Sequence, residues 1–229
     1  MDIEAGNRHA TDQEIYEKIW NAIAERQVGP GTRLKEEQLS DIFSASRARI
    51  RQVLQNLARD GLITLVPNRG AFVSKPSIEE ARDVFFARRT IEERLVERLC
   101  ATIDPDGIAR LGEHVDQERR AHLSGDVAGA IRLSGSFHML IAELARSQIL
   151  ASLLRDLVSR TSLIMAMYQQ KEIQSCGPDE HAAIVQSITA RDAKKALAVM
   201  HHHLAHIENQ LDLESDRVVA RDLEDILGL

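Results

Sequence analysis

Between Glu36 and Lys75 the chain reads EEQLSDIFSASRARIRQVLQNLARDGLITLVPNRGAFVSK, and the spacing of apolar residues in this stretch leaves few ways to fold it. Ile50, Val53, Leu54 and Leu57 recur at i, i+3, i+4 and i+7, one face of a helix. Ser46 just ahead of them is a good N-cap, because its hydroxyl can accept an orphan amide of the first turn. Asp60-Gly61 ends the helix, since glycine takes the left-handed conformation there at no steric cost. Leu62 to Val66 and Ala71 to Ser74 then read as two strands around a turn at Pro67-Asn68-Arg69-Gly70. Upstream, Leu39 and Ile42 mark a short helix from Glu36 to Phe43. Two short helices, a glycine stop and a small hairpin predict a winged helix-turn-helix.

The polar residues of the second helix say what it faces. Arg47 and Arg51 share an outward face one turn apart, and Gln55 continues the line. Two forked guanidinium groups and an amide at the N-terminal end of a helix suit base edges in the major groove of DNA. The competing explanation is an ordinary solvated face. From Ser46 to Arg59 there are four arginines and no acid, in a chain whose formal net charge is −6. That local bias favours DNA.

Charge elsewhere limits the kind of contact. Residues 1 to 75 hold 11 Lys and Arg against 10 Asp and Glu, a net of +1, which leaves −7 for residues 76 to 229. A nonspecific polybasic coat is not expected, so phosphate contact must be local. Aromatic content of 3% and the abundance of Ala, Leu, Ile, Glu and Arg favour helix packing over sheet. Cys100 and Cys176 lie far apart and no apolar signal precedes the first helix, so a reducing cytoplasmic setting without a disulfide framework is expected. No apolar run approaches the roughly 20 residues that cross a bilayer, and no membrane partner is expected.

Residues 1 to 10 look frayed, and Thr11 or Asp12 can cap a helix to about Gln27 with Ile15, Ile19, Trp20 and Ile23 inward, stopped by Gly29-Pro30-Gly31. Pro76-Ser77 reads as a linker, with Ser77 and Glu80 forming a capping-box pattern. Beyond it, helical segments are predicted near 77 to 101, 105 to 124, 127 to 145, 147 to 170, 179 to 190 and 192 to 213. Long helices on short loops imply an antiparallel bundle. Residues 216 to 227 can form one more short helix or a loosely docked tail.

Nine histidines raise the question of a metal. His9 falls in the frayed start, and His114 and His122 sit on a charged helix where exposure is the simplest explanation. His138 adjoins the apolar line Leu133, Phe137, Leu140, Ile141 and Leu144. His181 is in line with Ile184 and Ile188, and His203 lies on the stripe Ala196, Met200, Ile207 and Leu211. Three helices can therefore each present one inward imidazole. Separate core histidines and a shared metal site both remain open at this point, although neutral imidazole is the commonest transition-metal ligand.

The segments PGTRL, EEQLSDIF, SRARIRQVLQNLARDGLI and NRGAFV, followed by RRTIEERL, SGSFHML, DEHAAIV and MHHHLAHIE, resemble GntR-family transcription regulators of the FadR-like branch, whose C-terminal bundle is the FCD domain. The resemblance runs from Ile15 to about Leu213. It implies a homodimer on a double-stranded DNA operator, with a small organic acid as effector. By motif position it places DNA contacts on Ser46, Arg47 and Arg51, with a wing contact near Arg69 and Gly70. It places a divalent metal on His138, His181 and His203, the three that periodicity selects. The family's fourth ligand, an Asp, is replaced here by Ser134, and this departure bears on metal occupancy. Zn or Ni suits such nitrogens better than Mg or Ca. Arg88 matches an arginine that faces the FCD cavity and suits a carboxylate, with an ion pair to Glu92 as its alternative. Arg160 is a further candidate for the effector site, and Cys176 a substitute for the missing Asp.

The expected fold is mainly α: a winged helix-turn-helix over residues 1 to 75, an FCD-like antiparallel bundle over 76 to 215, and a tail from 216. The expected function is a ligand-responsive regulator binding an inverted-repeat operator, and not an enzyme. A His-site metalloenzyme joined to a DNA-binding module is the rival, opposed by the lack of a spaced general base or nucleophile motif. A constitutive DNA-binding protein with a purely dimerising bundle is the third reading.

Overall fold

A computed structural model describes residues 10–24, 27–168 and 177–213. The described chain divides between Lys75 and Pro76 into two compact units.

The first unit is built from helix α1 (Asp12–Ala24), strand β1 (Arg33–Leu34), helices α2 (Glu36–Ile42) and α3 (Arg47–Arg59), and strands β2 (Ile63–Val66) and β3 (Gly70–Val73). Thr11 caps α1 in a reciprocal box: its hydroxyl accepts from the Glu14 amide at 3.2 Å, and the Glu14 carboxylate accepts from the Thr11 amide at 2.6 Å. Ile15, Ile19 and Ile23 of α1 and Ile50, Val53, Leu54 and Leu57 of α3 are all buried, as their spacing requires. Arg49 donates to Asp12 and to the Ala10 carbonyl, and Tyr16 donates to Asp60, so α1 is tied to both ends of α3.

The hairpin of β2 and β3 pairs Thr64 with Phe72 and Val66 with Gly70. Val66 accepts from the Arg69 amide across a turn in which Asn68 has φ 60° and Gly70 φ 99°. Asparagine and glycine tolerate that region, which is why the hairpin can reverse there. The structure adds a third strand absent from the sequence reading: β1 pairs with β3 through Arg33 with Phe72 and Leu34 with Ala71, giving the order β1-β3-β2. Two residues are too few for an alternating pattern to be read.

The second unit packs α4 (Ile78–Thr102), α5 (Pro105–Ser124), α6 (Val127–Leu144), α7 (Gln148–Tyr168), α8 (Gly177–Thr189) and α9 (Ala193–Asn209). α4 lies against α9, α7, α6 and α8, while α5 covers α6 and α8. Side-chain caps start these helices: Asp104 accepts from Gly107, Asp126 from Gly129 and Asp192 from Lys195. Arg191 donates to the carbonyls of Cys100, Ala101 and Ile103, so the turn before α9 closes the C-terminal end of α4. Leu95, Leu99, Leu111, Phe137, Ile141 and Met200 are among the residues of the main core.

Three local readings change. Ser77 does cap α4, accepting from the Glu80 amide, but the Glu80 carboxylate turns to Arg160. His114 is half-buried: its Nε2 lies 2.9 Å from the Leu133 carbonyl, which holds the ring against α6. Arg160 is held by Glu80 and Asp156, an ion-pair cluster that keeps a third of its side chain in solvent. The tail helix expected at 216 to 227, His9 and Cys176 all lie outside the described residues.

Candidate functional site

Two sites emerge, one in each unit. On α3, Ser46 spends its hydroxyl on the cap, accepting from the Arg49 amide at 3.3 Å. Arg47, Arg51 and Gln55 are exposed on one face, as predicted. Their surroundings differ from the sequence reading. Arg47 pairs with Glu37, and Arg51 is clasped by both oxygens of Glu36, Nε to Oε1 at 3.0 Å and Nη2 to Oε2 at 2.7 Å. Three of the four arginines in that acid-free segment are therefore met by acids that α2 and α1 return in space. In the wing, Arg69 is exposed and its guanidinium lies 5.7 Å from the centre of the Phe72 ring, with Gly70 beside it.

In the second unit the three predicted histidines come together. His138 on α6, His181 on α8 and His203 on α9 are all buried, and their ligand nitrogens lie within 4.8 Å of one another. The Nε2 atom of His203 is 3.1 Å from that of His181 and 3.4 Å from that of His138. Each ring turns its Nδ1 outward to a carboxylate: His138 to Glu92, His181 to Glu118 at 2.6 Å, and His203 to Glu180 at 2.7 Å. Phe137 stacks on His181 with centroids 4.0 Å apart, fixing the ring plane.

These carboxylates decide the tautomers. Burial pushes the Glu92 carboxyl up, but Arg88 and His138 outweigh it and hold it at about 2. Burial also raises Glu180, and again the histidines facing it, His203 and His206, win and leave it lowered. Both glutamates are thus ionised acceptors, so Nδ1 of His138 and of His203 donates and Nε2 is left with its lone pair. Glu118 is pushed up by burial; its carboxyl lies 2.6 Å from Nδ1 of His181 and accepts from the Ser134 hydroxyl. Burial holds His138 and His203 near 4 and His181 well below its ordinary value, so all three rings are neutral at pH 7.

Lone pairs converging in a dry interior suit a cation. A tetrahedral metal with Zn–N bonds of ~2.0 to 2.1 Å holds neighbouring nitrogens ~3.3 to 3.4 Å apart; the His203–His138 separation matches this and the His203–His181 separation is slightly shorter. The outer carboxylates complete the carboxylate, histidine, metal arrangement that orients such ligands. The residues therefore fit a divalent ion bound by three nitrogens.

Of the two sequence readings of Arg88, the structure shows the ion pair with Glu92. The arginine is 2% exposed, and its Nε donates to Glu92 at 2.7 Å, so the ion pair is buried rather than superficial. Its Nη2 is buried with no hydrogen-bond partner among the described residues. It shares Glu92 with His138, one carboxylate oxygen going to each. Neither Arg160, held by Glu80 and Asp156, nor Ser134, bonded to Glu118, is shown facing the Nε2 atoms.

Sequence reasoning missed Glu118 and Glu180, and it named Glu92 only as a partner of Arg88 and not of His138. Their signal was present: Ala81, Phe85, Arg88, Glu92, Leu95 and Leu99 form one stripe of α4, and Leu111, Val115 and Glu118 one stripe of α5. An acid in line with buried apolar residues points inward and needs a partner.

A winged helix-turn-helix with an arginine-bearing second helix, followed by a helical domain with a buried polar centre, defines a DNA-binding regulator of transcription. Residues 11–73 match the bacterial regulatory proteins of the gntR family and residues 83–206 match the FCD domain, and the chain belongs to this family. It is 26% identical over 205 residues to the HTH-type transcriptional repressor RspR of Escherichia coli K12, covering 87% of this chain and 88% of that one. It is also 26% identical over 185 residues to the transcriptional repressor NagR of Bacillus subtilis, at 75% and 76% coverage. Among solved structures the fold is shared with a GntR transcriptional regulator of Rhodococcus sp. RHA1, with TM-score 0.72, 24% identity and coverage of 87% and 96%. It is shared too with E. coli McbR/YncC, with TM-score 0.68, 17% identity and coverage of 87% and 93%. The relatives are transcription regulators rather than enzymes, and the metalloenzyme alternative gives way to them. No described helix is long and apolar enough to cross a membrane.

Proposed function

We propose that the protein is a ligand-responsive regulator that binds an inverted-repeat operator as a homodimer, with affinity set by a small organic acid bound in the helical domain. α3 supplies the base contacts through Arg47, Arg51 and Gln55, with Ser46 at its start and Arg69 and Gly70 in the wing. His138, His181 and His203 hold a divalent metal, Zn or Ni. A bound ion supplies positive charge and open coordination positions for an oxygen ligand. The observation that carries the reading is the convergence of three neutral imidazoles through their Nε2 atoms, with buried Arg88 bonded to the same glutamate that holds His138.

Around the Nε2 atoms the protein offers neutral donors, because Glu92, Glu118 and Glu180 are all committed to Nδ1 atoms. A carboxylate effector then brings the anionic oxygen that the histidines lack, and Arg88 offers a directed N–H to it. To act on DNA the effector must favour one placement of the winged domains over another, since equal affinity for both shifts nothing. Exposed Phe86, Leu123, Ile149 and Leu153 give the bundle apolar surface that a second copy can cover.

The test joins metal analysis of protein never exposed to chelator with calorimetric titration of acetate, glycolate and succinate. One ion per chain and metal-dependent heats are expected, both lost in a His181→Ala, His203→Ala double variant. A double variant that keeps the ion and the heats would remove the site. A bundle that only dimerises would take up neither ion nor acid.

A further inference from the structure

The pairing of Arg51 with Glu36 has a geometry that a loose surface ion pair lacks. Glu36 takes the side of the guanidinium, with one oxygen on Nε and the other on Nη2. A guanidinium carries five N–H donors in a rigid plane, so the side-on clasp leaves the outer edge formed by Nη1 and Nη2 able to donate two parallel bonds. That edge is the one that matches O6 and N7 of a guanine. The clasp also fixes the plane of the fork, and a long side chain that is already oriented loses less freedom on binding.

A plainer role for Glu36 exists, since it lies in the first turn of α2, where an acid favours the helix dipole. Its carboxylate is instead turned to a residue 15 positions away on the next helix. The hydrogen bond from Arg51 also holds the Glu36 carboxyl below its ordinary range. The neighbouring arginines are also paired, Arg47 through one contact to Glu37 and Arg49 through a single oxygen of Asp12. The face therefore carries little surplus charge for phosphates, and discrimination must come from aimed donors.

We propose that Glu36 is a specificity-determining residue that positions Arg51: it holds the guanidinium side-on so that the outer edge of the fork reads one base of the operator. This rests on α3 being the recognition helix. Removing Glu36 both frees the fork and adds net positive charge, and the two effects lower discrimination together.

The experiment uses the full chain. Wild type selects duplexes from a random-sequence library; its preferred duplex and a scrambled one are then titrated at fixed salt with wild type, Glu36→Gln, Arg51→Ala and the double variant. Glu36→Gln should lower the ratio of preferred to scrambled affinity about tenfold or more. It should flatten base preference at the same position that Arg51→Ala flattens, with an unchanged melting temperature. The double variant should be no less selective than Arg51→Ala alone, because the two residues act as one unit. If Arg51→Ala flattens the profile while Glu36→Gln leaves it intact, or raises affinity for both duplexes equally, Glu36 is only a nearby charge and the proposal is overturned. If Arg51→Ala changes nothing, the recognition-helix assignment fails and this proposal with it.

Discussion

The Nε2 atoms of His181 and His203 lie 3.1 Å apart, while the Nδ1 of each ring faces a glutamate. In His203 the Nε2 is left as an acceptor by the ionised Glu180, so only a proton from His181 or a cation can make this approach favourable.

Orientation of the rings is expected to govern metal affinity. Glu180→Gln, which weakens the acceptor behind His203 on a partly exposed side chain, should lower affinity for Zn about 10- to 100-fold without unfolding the domain. Competition against a chromophoric chelator measures it. Unchanged affinity would mean that Glu180 serves packing alone.

Chelator-treated protein should lose stability as pH falls. Burial holds His138 and His203 at about 4 in the folded chain, against about 6.5 when unfolded. Between those values the unfolded state binds more protons, so stability rises with pH and is lost as pH drops from about 6.5 to about 4. Glu92, held at about 2, adds stability that is present above about 4.5 and goes as pH falls toward 2. Glu118, raised by burial, works the opposite way. The urea midpoint at pH 7, 5.5 and 4.5 should fall in that order, and a flat series would contradict buried neutral imidazoles.

Arg88 has two roles that different substitutions separate. Arg88→Ala leaves the Glu92 carboxylate buried without its cationic partner, with only the neutral His138 ring donating to it, a loss on the order of 3 to 5 kcal/mol. Arg88→Lys keeps the charge but not the second fork nitrogen. It should remain folded and bind small carboxylates at least tenfold more weakly, by calorimetry, if the free Nη2 is the effector donor. Equal carboxylate affinity in the lysine variant would place the effector elsewhere.

Arg47→Ala and Arg51→Ala should each weaken binding to the preferred duplex by about 1 to 3 kcal/mol. Neither should alter sedimentation of the protein. Ser46→Ala differs, because its hydroxyl caps α3: about 1 kcal/mol of folding stability should be lost, visible as a lower melting temperature. Unchanged duplex affinity in both arginine variants would move recognition off α3.

The helices, the hairpin and the inward direction of His138, His181 and His203 were legible in the chain because periodicity is local: a residue's face follows from its neighbours at three and four positions. The same locality misled where charge was concerned. Arg47, Arg49 and Arg51 looked unbalanced along the sequence, yet Glu37, Asp12 and Glu36 meet them from other helices. The inward orientation of Glu92 and Glu118 could be read from their stripes, but not which imidazole each would hold, since those partners are 46 and 63 residues away. β1 was too short to carry a pattern and exists only because β3 offers it an edge. Spacing along a chain thus determined direction, whereas distance between elements decided pairing, because hydrogen bonds and ion pairs form over a few ångströms of space regardless of separation in sequence.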